Sequence, residues 1–488
     1  MANQIQQLHF LFVPLMSQSH LIPFTEMAKL LAHHGMSVTI VVTPVNALRY
    51  NKLIDYAKNL NLNIKFLSFR FPCQEAGLPD GCENLDSLPS PDLTQKFFEA
   101  SNMVQKPLEK WLGELESKSL PDCIVSDVCF PWTSDVALHF KIPRVVFQTV
   151  SCFNLACSHS IDCHRIIESI TSPKPFLVPD MPDKIEFTEA QLSITRSATS
   201  DYMRDCMKKF KEAGLSADGV LVNSFEELES RYVKEYQKTM KNTWCIGPLF
   251  LANSINSEKY NKAQVDEHKC LKWLDSRKSS SVLYVCFGSL SSIQPQQLME
   301  IGLGLEASNC SFIWAVRKDH LTYQLEKWLE EEKFEERIKG RGLIVQGWAP
   351  QVSILSHPSV GGFLTHCGWN STLEGISAGK PMITWPMFAE QFFNEKLIVQ
   401  VLKIGVRVGV EVSIQWAVER KIETLVKREE IMKAIEKLMI DGGEEAEERR
   451  KRAKELGELA NKAVEEGGSS DLNVQLLIQH IKQMQITK

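Results

Sequence analysis

The polar residues that follow an apolar run near residue 365 have the types and spacing of an anion-binding site. The run 361–365 predicts a β-strand, and His366 lies in the turn after it. Asn370 and Ser371 suit the N-cap of a helix, whose free backbone N–H groups attract a phosphate. Glu374 comes one turn later, where a carboxylate could accept hydrogen bonds from ribose hydroxyls. The whole arrangement indicates a phosphate site, although each residue taken singly would also fit a cap or a tight turn.

A second pair of residues could perform acid–base chemistry. His20 follows the apolar run 8–14 at the start of a helical pattern, and Asp127 follows the run 123–126. Because the carboxyl ends of parallel strands meet at one edge of a sheet, the two side chains could lie together. An imidazole with a pKa of about 6.5 can take a proton from a hydroxyl near neutral pH, and a carboxylate can orient it and stabilise the imidazolium. Spacing alone also fits a structural histidine.

Alternating apolar strands and helical stretches must position these residues. In the first half of the chain the runs that predict strands are 8–14, 37–43, 64–69, 123–126, 144–147 and 219–223. In the second half they are 281–287, 312–316, 343–346, 361–365 and 381–384. Helices between such strands predict parallel sheets covered on both faces. The fold class is therefore α/β, with two doubly wound Rossmann-like domains whose strand ends face a ligand-binding cleft.

Polar and glycine-rich stretches divide the chain. Residues 253–269 are poor in apolar side chains, which predicts an N-terminal domain at 1–250, a linker at 251–270 and a C-terminal domain at 271–470. Residues 427–466 are dense in charge and predict a solvated helix. A Gly-Gly-Ser-Ser sequence precedes a last helix at 472–484, within a segment, 471–488, that we expect to pack back on the N-terminal domain.

The composition excludes several classes of protein. The chain has 488 residues and a formal net charge of −5, which argues against a chain-wide nucleic-acid or membrane surface. No apolar stretch approaches the roughly 20 residues that span a bilayer. The 13 cysteines are scattered without a Cys-x-x-Cys pair, as in a cytoplasmic protein with reduced thiols. The sequence contains neither a zinc-type cluster nor an Asp-x-Asp triplet, so we expect no metal and no cofactor.

The stretch from Trp348 to Gln391 resembles, over its full length, the donor-binding signature of plant secondary-product UDP-glycosyltransferases. The similarity extends to Ala-Gly-Leu-Pro at 76–79, Gly-Cys-Glu-Asn at 81–84 and Cys-Phe-Gly-Ser at 286–289, which look closest to the group acting on flavonoids, triterpenoids and steroids. The resemblance implies a metal-independent, inverting enzyme of the GT-B fold. It also implies a UDP-sugar donor, a small lipophilic hydroxylated acceptor and a monomer, with no nucleic-acid partner.

The resemblance assigns a role to each residue of the motif. The uridine would be held by Trp348, which stacks on uracil, together with Ala349, Gln351 and Glu374. The diphosphate would be held by Ser289, His366, Asn370 and Ser371. The sugar would be contacted by Trp369, Glu390 and Gln391. His20 would be the general base and Asp127 its orienting carboxylate. A closing glutamine, here Gln391, is associated in this family with glucose, whereas histidine there is associated with galactose.

Several alternatives stay open. The same donor chemistry could form a glucose ester on a carboxylate, or the donor could be UDP-glucuronate. A nicotinamide-dependent dehydrogenase would need a glycine-rich turn after the first strand, and residues 14–20 contain no glycine. A non-catalytic nucleotide-sugar sensor would not need both His20 and Asp127. The sequence departs from the family pattern at Phe388 and Asp471, which we expect to affect packing and the docking of the last helix.

Overall fold

The computed structural model describes residues 7–48, 51–170, 172–192, 201–254, 265–291, 293–317, 323–414 and 425–486. The strands are β1 His9–Val13, β2 Ser37–Val42, β3 Ile64–Ser68, β4 Cys123–Asp127, β5 Arg144–Gln148, β6 Phe176–Leu177, β7 Glu186–Phe187, β8 Gly219–Val222, β9 Thr243–Cys245, β10 Val282–Cys286, β11 Ser311–Val316, β12 Gly342–Gln346, β13 Val360–Thr365, β14 Met382–Thr384 and β15 Gly405–Arg407.

Helices connect most of these strands. They are α1 Gln18–His33, α2 Pro44–Ala47, α3 Asn51–Asn59, α4 Thr94–Met103, α5 Gln105–Gly113, α6 Thr133–Phe140, α7 Cys152–Cys163, α8 Ile166–Ser169, α9 Asp201–Leu215, α10 Glu226–Gln237, α11 Leu249–Ser254, α12 Val265–Asp275, α13 Pro295–Ala307, α14 Tyr323–Glu331, α15 Phe334–Arg337, α16 Gln351–Ser356, α17 Trp369–Ser377, α18 Gln391–Lys396, α19 Arg428–Ile435, α20 Glu444–Val464 and α21 Ser469–Ile486.

The described residues form two compact units. The first draws on Met1–Cys152, Ser200–Tyr260 and Lys462–Lys488, and the second on Phe153–Thr199 and Asn261–Asn461. The linker was predicted at 251–270. Of this stretch, residues 255–264 lie outside the described residues, while α11 ends at Ser254 and α12 begins at Val265.

The first unit is built on a seven-stranded sheet in the order β3-β2-β1-β4-β5-β8-β9, with every pair parallel. β1 and β4 are neighbours, and Val13 lies opposite Ser126, so both strands end at the same edge. Helix α1 is fixed over the sheet by Phe24, whose ring centroid lies 5.7 Å from that of Phe12 and 5.0 Å from that of Phe147. Removing such a buried ring costs about 3–5 kcal/mol, so this cluster holds α1 firmly in place.

The last helix completes the core of the first unit. Val474, Leu477 and Ile481 of α21 are buried in the same apolar cluster as β1 and β4. Asn473 Nδ2 donates to the carbonyl oxygen of Cys245 at 2.9 Å. In the first turn of the helix, Asp471 Oδ2 accepts from the backbone N–H of Gly467 at 2.9 Å. The negative charge of this carboxylate is favourable near a helix N-terminus.

The second unit is built on a six-stranded parallel sheet in the order β12-β11-β10-β13-β14-β15. A two-stranded antiparallel sheet, β6 with β7, belongs to the same unit. The ring of Phe187 from β7 packs on that of Phe393 at 4.6 Å. β10 and β13 are neighbours in the centre of the sheet, so their loops emerge side by side at the carboxyl edge.

The sequence predicted most strands to within one or two residues, and the two parallel sheets confirm the α/β fold class. The prediction missed β9 and β15 and the β6–β7 pair. The single solvated helix predicted at 427–466 is wrong: α19 continues into a π-helical turn at Glu436–Ile440, and α20 begins at Glu444. Ile431 and Ala453 on these helices are fully buried, because one face of each packs into the unit. Among the described residues, no helix is long and apolar enough to cross a membrane.

Candidate active site

The first unit brings His20 and Asp127 together. His20 lies in the first turn of α1, and Asp127 is the last residue of β4. His20 Nδ1 lies 2.7 Å from Asp127 Oδ2, and the side chains are 18% and 0% exposed. Because an ionised carboxylate only accepts hydrogen bonds, Nδ1 carries the hydrogen and Nε2 of the neutral ring presents its lone pair. The geometry is that of an imidazole base oriented by a carboxylate.

The environment of Asp127 keeps it ionised. Burial alone would raise the pKa of Asp127, but the neighbouring His20 and the hydrogen bonds from Cys129 hold that pKa below its usual value. The backbone N–H of Cys129 donates to Oδ1 at 3.0 Å, and the N–H of Leu15 lies 3.4 Å from Oδ2. A fixed anion at this position can stabilise a positive charge on the imidazole.

In the second unit, β13 runs through a short loop into α17. The helix begins at Trp369, with Gly368 as its N-cap residue. The sequence-based placement of Asn370 and Ser371 at the N-cap is therefore wrong, because both are already inside the first helical turn. Their side chains still lie at the helix end whose backbone N–H groups attract anions.

His366 is enclosed by two glycines. A Cβ atom added to Gly288 would lie 2.5 Å from His366 Nε2, and one added to Gly368 would lie 2.4 Å from the same atom. Larger residues would therefore push the imidazole out of place, and Gly288 also has a φ of +75° that favours glycine. Burial lowers the pKa of His366 to about 4, so the ring is neutral at pH 7 and could meet a ligand only as an uncharged hydrogen-bonding group. Ser289 follows in the same loop.

Gln351 links two of the predicted nucleotide-binding residues. Its Nε2 donates to Ser371 Oγ at 3.0 Å and to Glu374 Oε2 at 2.6 Å. The hydroxyl of Tyr284, a buried residue of β10, donates to Gln351 Oε1 at 3.3 Å and so sets the orientation of the amide. Burial raises the pKa of Glu374 to about 7, although the bond from Gln351 opposes this shift.

Trp348 is placed for stacking. It follows Gly347, whose φ of +95° lets the chain turn sharply after β12. The Trp348 side chain is 61% exposed, which is unusual for so large an apolar group, while the next residue, Ala349, is buried. An exposed indole is a suitable platform for stacking on a planar base.

The loop before α18 orders the remaining predicted residues. Glu390 Oε1 accepts from the backbone N–H of Trp369 at 3.2 Å, so its carboxylate lies against the first residue of α17. Gln391 Oε1 accepts from the N–H groups of Met387 and Phe388 at 2.8 and 3.1 Å. These two bonds fix the amide of Gln391 so that its Nε2 group is the part available to donate to a ligand.

The structure thus places the predicted residues in two groups. His20 and Asp127 belong to the first unit, and all of the predicted donor-binding residues belong to the second. Sequence reasoning missed Tyr284, which reads as an ordinary strand residue, and Asn394, whose Nδ2 donates to the carbonyl oxygen of Cys367 at 2.8 Å. Neither position carries a signal in the sequence, because each contributes through a contact with a residue that only the fold brings close. In the described part of the chain, no three His, Cys, Asp or Glu residues are grouped as metal ligands.

The chain is similar to known proteins over nearly its whole length. Residues 95–439 match the family model for "UDP-glucoronosyl and UDP-glucosyl transferase". UDP-glycosyltransferase 73C3 of Arabidopsis thaliana is 50% identical over 483 residues, covering 98% of this chain and 97% of that protein. The crystal structure of Glycyrrhiza uralensis UGT73P12 complexed with glycyrrhetinic acid 3-O-monoglucuronide matches with a TM-score of 0.89 and 38% identity, covering 99% of this chain and 97% of that one. Phytolacca americana UGT2 complexed with UDP-2fluoro-glucose and pterostilbene matches with a TM-score of 0.75 and 27% identity, over 97% and 100% of the two chains.

Proposed function

Because this chain belongs to the family of UDP-glucuronosyl and UDP-glucosyl transferases, we propose that it transfers glucose from UDP-glucose to a hydroxyl of a small lipophilic metabolite. The chain is a UDP-glycosyltransferase, and its two parallel-sheet domains form the GT-B fold. Beyond this, we propose that the donor sugar is glucose, that the acceptor group is a hydroxyl, and that the predicted site residues have specific roles.

The hydrogen bond between His20 and Asp127 is the observation that carries the mechanism. With Nδ1 held by Asp127 at 2.7 Å, His20 Nε2 would take the proton from the acceptor hydroxyl as its oxygen attacks the anomeric carbon. The new bond joins that oxygen to the carbon, the bond to the β-phosphate oxygen breaks, and UDP leaves with the electron pair. A single displacement inverts the anomeric centre. The carboxylate of Asp127 stabilises the imidazolium that forms.

Neutral hydrogen-bond donors would hold the leaving diphosphate. The backbone N–H groups at the start of α17 present positive partial charge. The side chains that would add donors are Ser289, His366, Asn370 and Ser371. Because His366 has a pKa of about 4, it would donate from a neutral ring. In this proposal no metal or cofactor takes part, and preorganised donors supply the stabilisation of the charge that develops on UDP.

The rest of the donor would bind along the same edge of the second unit. Trp348 would stack on uracil, and Ala349 would present backbone groups to it. Gln351 and Glu374 would bind the uridine, and the Glu374 carboxylate would accept hydrogen bonds from the ribose hydroxyls. Trp369, Glu390 and Gln391 would contact the sugar.

Glucose as the donor sugar is supported by Gln391 and by one relative. Gln391 offers an amide donor held by two backbone bonds, and UGT2 of Phytolacca americana was solved with UDP-2fluoro-glucose. UDP-glucuronate is the second candidate donor, because the relative from Glycyrrhiza uralensis was solved with a 3-O-monoglucuronide. A uronate carboxylate would call for a cation beside the sugar, which separates the two donors chemically.

The acceptor is proposed to be a phenolic, flavonoid, triterpenoid or steroid hydroxyl. Relatives solved with glycyrrhetinic acid 3-O-monoglucuronide and with pterostilbene support a lipophilic acceptor. A cytoplasmic, monomeric enzyme completes the proposal, in keeping with the 13 scattered cysteines.

The test is a UDP-release assay with purified protein. UDP-glucose, UDP-galactose and UDP-glucuronate are each combined with phenolic, triterpenoid and carboxylic-acid acceptors. We expect acceptor-dependent release that is fastest with UDP-glucose and hydroxyl acceptors. In His20→Ala the rate on hydroxyl acceptors should fall by about 10²–10⁴-fold.

A matched control is His139→Ala, which removes an exposed histidine of α6 and should leave the rate unchanged. An ester-forming enzyme would behave differently, because a carboxylate needs no deprotonation and its transfer would survive His20→Ala. Equal release by wild type and His20→Ala on every hydroxyl acceptor would refute the proposed base.

A further inference from the structure

A carboxylate from a distant loop caps the helix that carries His20. Ser17 precedes α1 in an extended conformation, but its side chain makes no capping bond to its own helix. Instead Ser17 Oγ donates to Asp86 Oδ1 at 2.9 Å, and the backbone N–H of Gln18 donates to Asp86 Oδ2. Asp86 therefore satisfies the first exposed N–H of α1 from a position 68 residues along the chain.

The loop that supplies Asp86 is itself tied to the loop after β1 and to helix α2, which follows β2. We call residues 83–86 the capping loop. The N–H of Leu85 donates to Met16 O at 2.8 Å, and Glu83 Oε2 accepts from the N–H of Val45 at 2.8 Å. Asn84, which is fully buried, accepts from the N–H of Asp86 at 2.9 Å. The capping loop is therefore held by the loop after β1 and by α2, which fixes the position of Asp86.

The first turn of α1 transmits this position to the imidazole. The backbone N–H of His20 donates to Ser17 O at 3.0 Å, so the residue whose hydroxyl is held by Asp86 also holds the backbone of His20. A displacement of Ser17 would rotate that turn and move the ring away from Asp127. A carboxylate suits the task, because its two oxygens match the two donors and its charge favours a helix N-terminus.

We propose that Asp86 is a positioning residue for the general base: by holding Ser17 and Gln18 it keeps the His20 imidazole at Asp127 and sets the direction of Nε2. This proposal rests on the proposed function of His20. It also gives a purpose to the Gly-Cys-Glu-Asn motif at 81–84, since Glu83 and Asn84 anchor the loop that delivers Asp86.

The experiment compares Asp86→Ala with a matched variant, Asp92→Ala. Asp92 is an exposed aspartate beyond the capping loop that accepts from Ser90 Oγ at 3.2 Å. For each protein, kcat, KM for UDP-glucose and the Kd of UDP are measured. Since small misplacements of a reacting group cost up to about 100-fold in rate, kcat of Asp86→Ala should fall about 10- to 100-fold. UDP affinity and donor KM depend on the second unit and should stay unchanged, and Asp92→Ala should match wild type.

A conservative variant and a spectroscopic signal separate positioning from simple folding. Asp86→Asn keeps an oxygen that can accept from Gln18 N–H, so its kcat should lie between those of wild type and Asp86→Ala. Histidine labelled with ¹³C at Cε1 gives a signal for His20, identified by its loss in His20→Ala. That signal should shift in Asp86→Ala and stay in place in Asp92→Ala.

The outcomes distinguish this inference from the proposed function. If His20→Ala is inactive while Asp86→Ala keeps wild-type kcat and an unshifted His20 signal, the inference is overturned and the proposed function stands. If His20→Ala retains wild-type turnover, the base assignment itself fails. If Asp86→Ala no longer binds UDP, then Asp86→Asn and Ser17→Ala decide: reduced kcat with unchanged UDP binding supports the inference, and wild-type kcat in both overturns it.

Discussion

In the second unit, the residues proposed to bind the donor come largely from a single passage of chain, 348–391, whereas in the first unit His20, Asp86 and Asp127 come from three separate segments. Some donor residues are ordered by short-range bonds, such as those from the Met387 and Phe388 N–H groups to Gln391, and others by bonds within the same passage, such as that from Gln351 to Ser371, 20 positions apart. The His20–Asp127 bond joins residues 107 positions apart.

This difference has a physical consequence. The donor residues lie on consecutive loops and helices of one unit, so most of their contacts form within a short passage of chain. A site assembled from distant segments depends on every element between them, because each must fold before the contact can form. We therefore expect substitutions at the His20–Asp127 pair to reduce activity more than substitutions among the donor-binding residues.

The largest effect should come from Asp127→Asn. The amide carries no charge to stabilise the imidazolium, and it can turn its NH₂ group toward Nδ1, so kcat should fall by about 10²–10⁴-fold. UDP affinity, measured by calorimetry, should not change, because the donor residues belong to the other unit.

The matched control is Asp122→Asn, just before the other end of β4, where Oδ2 accepts from the N–H of His9 at 2.7 Å. It should keep kcat near the wild-type value. If both variants lose kcat equally, the strand rather than the carboxylate is responsible, and the contrast between the two units breaks down.

The next effect should come from Gln391→Glu in the second unit. A glutamate can still accept from Met387 and Phe388, but it removes the NH₂ donor that we propose for the sugar. A buried hydroxyl left without its donor costs about 1–3 kcal/mol, so KM for UDP-glucose should rise about 5- to 150-fold. The Kd of UDP, which lacks the sugar, should stay the same. A parallel loss of UDP affinity would show that Gln391 maintains the conformation of its loop rather than binding the sugar.

The affinity of the second unit for UDP-glucose should depend on pH. Glu374 has a pKa of about 7, so only above that pH is it mainly the carboxylate that we propose accepts from ribose hydroxyls. The competent fraction rises from about one tenth at pH 6 to about nine tenths at pH 8, so UDP-glucose should bind about tenfold more tightly at pH 8. Binding titrations at both pH values test this. Glu374→Gln should remove the dependence, and a dependence that persists there would place its origin elsewhere.

The same group makes a prediction for stability. The pKa of Glu374 is raised in the folded protein above its ordinary value of about 4.3. Its contribution to stability is therefore fully present below about pH 4 and is lost as the pH rises through 7. Without ligand, Glu374→Gln should melt higher than wild type at pH 8 and at about the same temperature at pH 4. Thermal scans at the two pH values check the sign.

The smallest effect should come from Tyr284→Phe. The variant removes the hydroxyl that donates to Gln351 Oε1 at 3.3 Å and leaves the ring stacked on Phe363 at 5.4 Å. A single neutral hydrogen bond contributes about 1 kcal/mol, so UDP should bind about fivefold more weakly with kcat unchanged. Tyr236→Phe, a buried tyrosine of the first unit, is the control. A loss of kcat in Tyr284→Phe would mean that the two units are not independent.

The same contrast decides what the sequence could predict. β1 and β2 were predicted because four apolar residues in a strand of five or six give a clear signal, whereas β9 and β15 have three residues each and show no periodicity. The position of Glu374 one turn into α17 follows from local spacing. Asp86 could not be found in this way, because its bond to Ser17 spans 69 residues and depends on the path of the capping loop. The helix start at Trp369 was missed because Gly368 caps α17 without a side chain.

Helix α21 also bears on how the protein is made. Val474, Leu477 and Ile481 fill the core beside β1 and β4, and the ring of His480 lies 5.3 Å from that of Trp244. During translation, the ribosome has made all the strands of the first sheet well before it reaches these residues of α21. The apolar surface that awaits α21 is then open to chaperones and to aggregation. A premature stop codon shortly before residue 470 would therefore damage the folding of the half of the enzyme that is translated first.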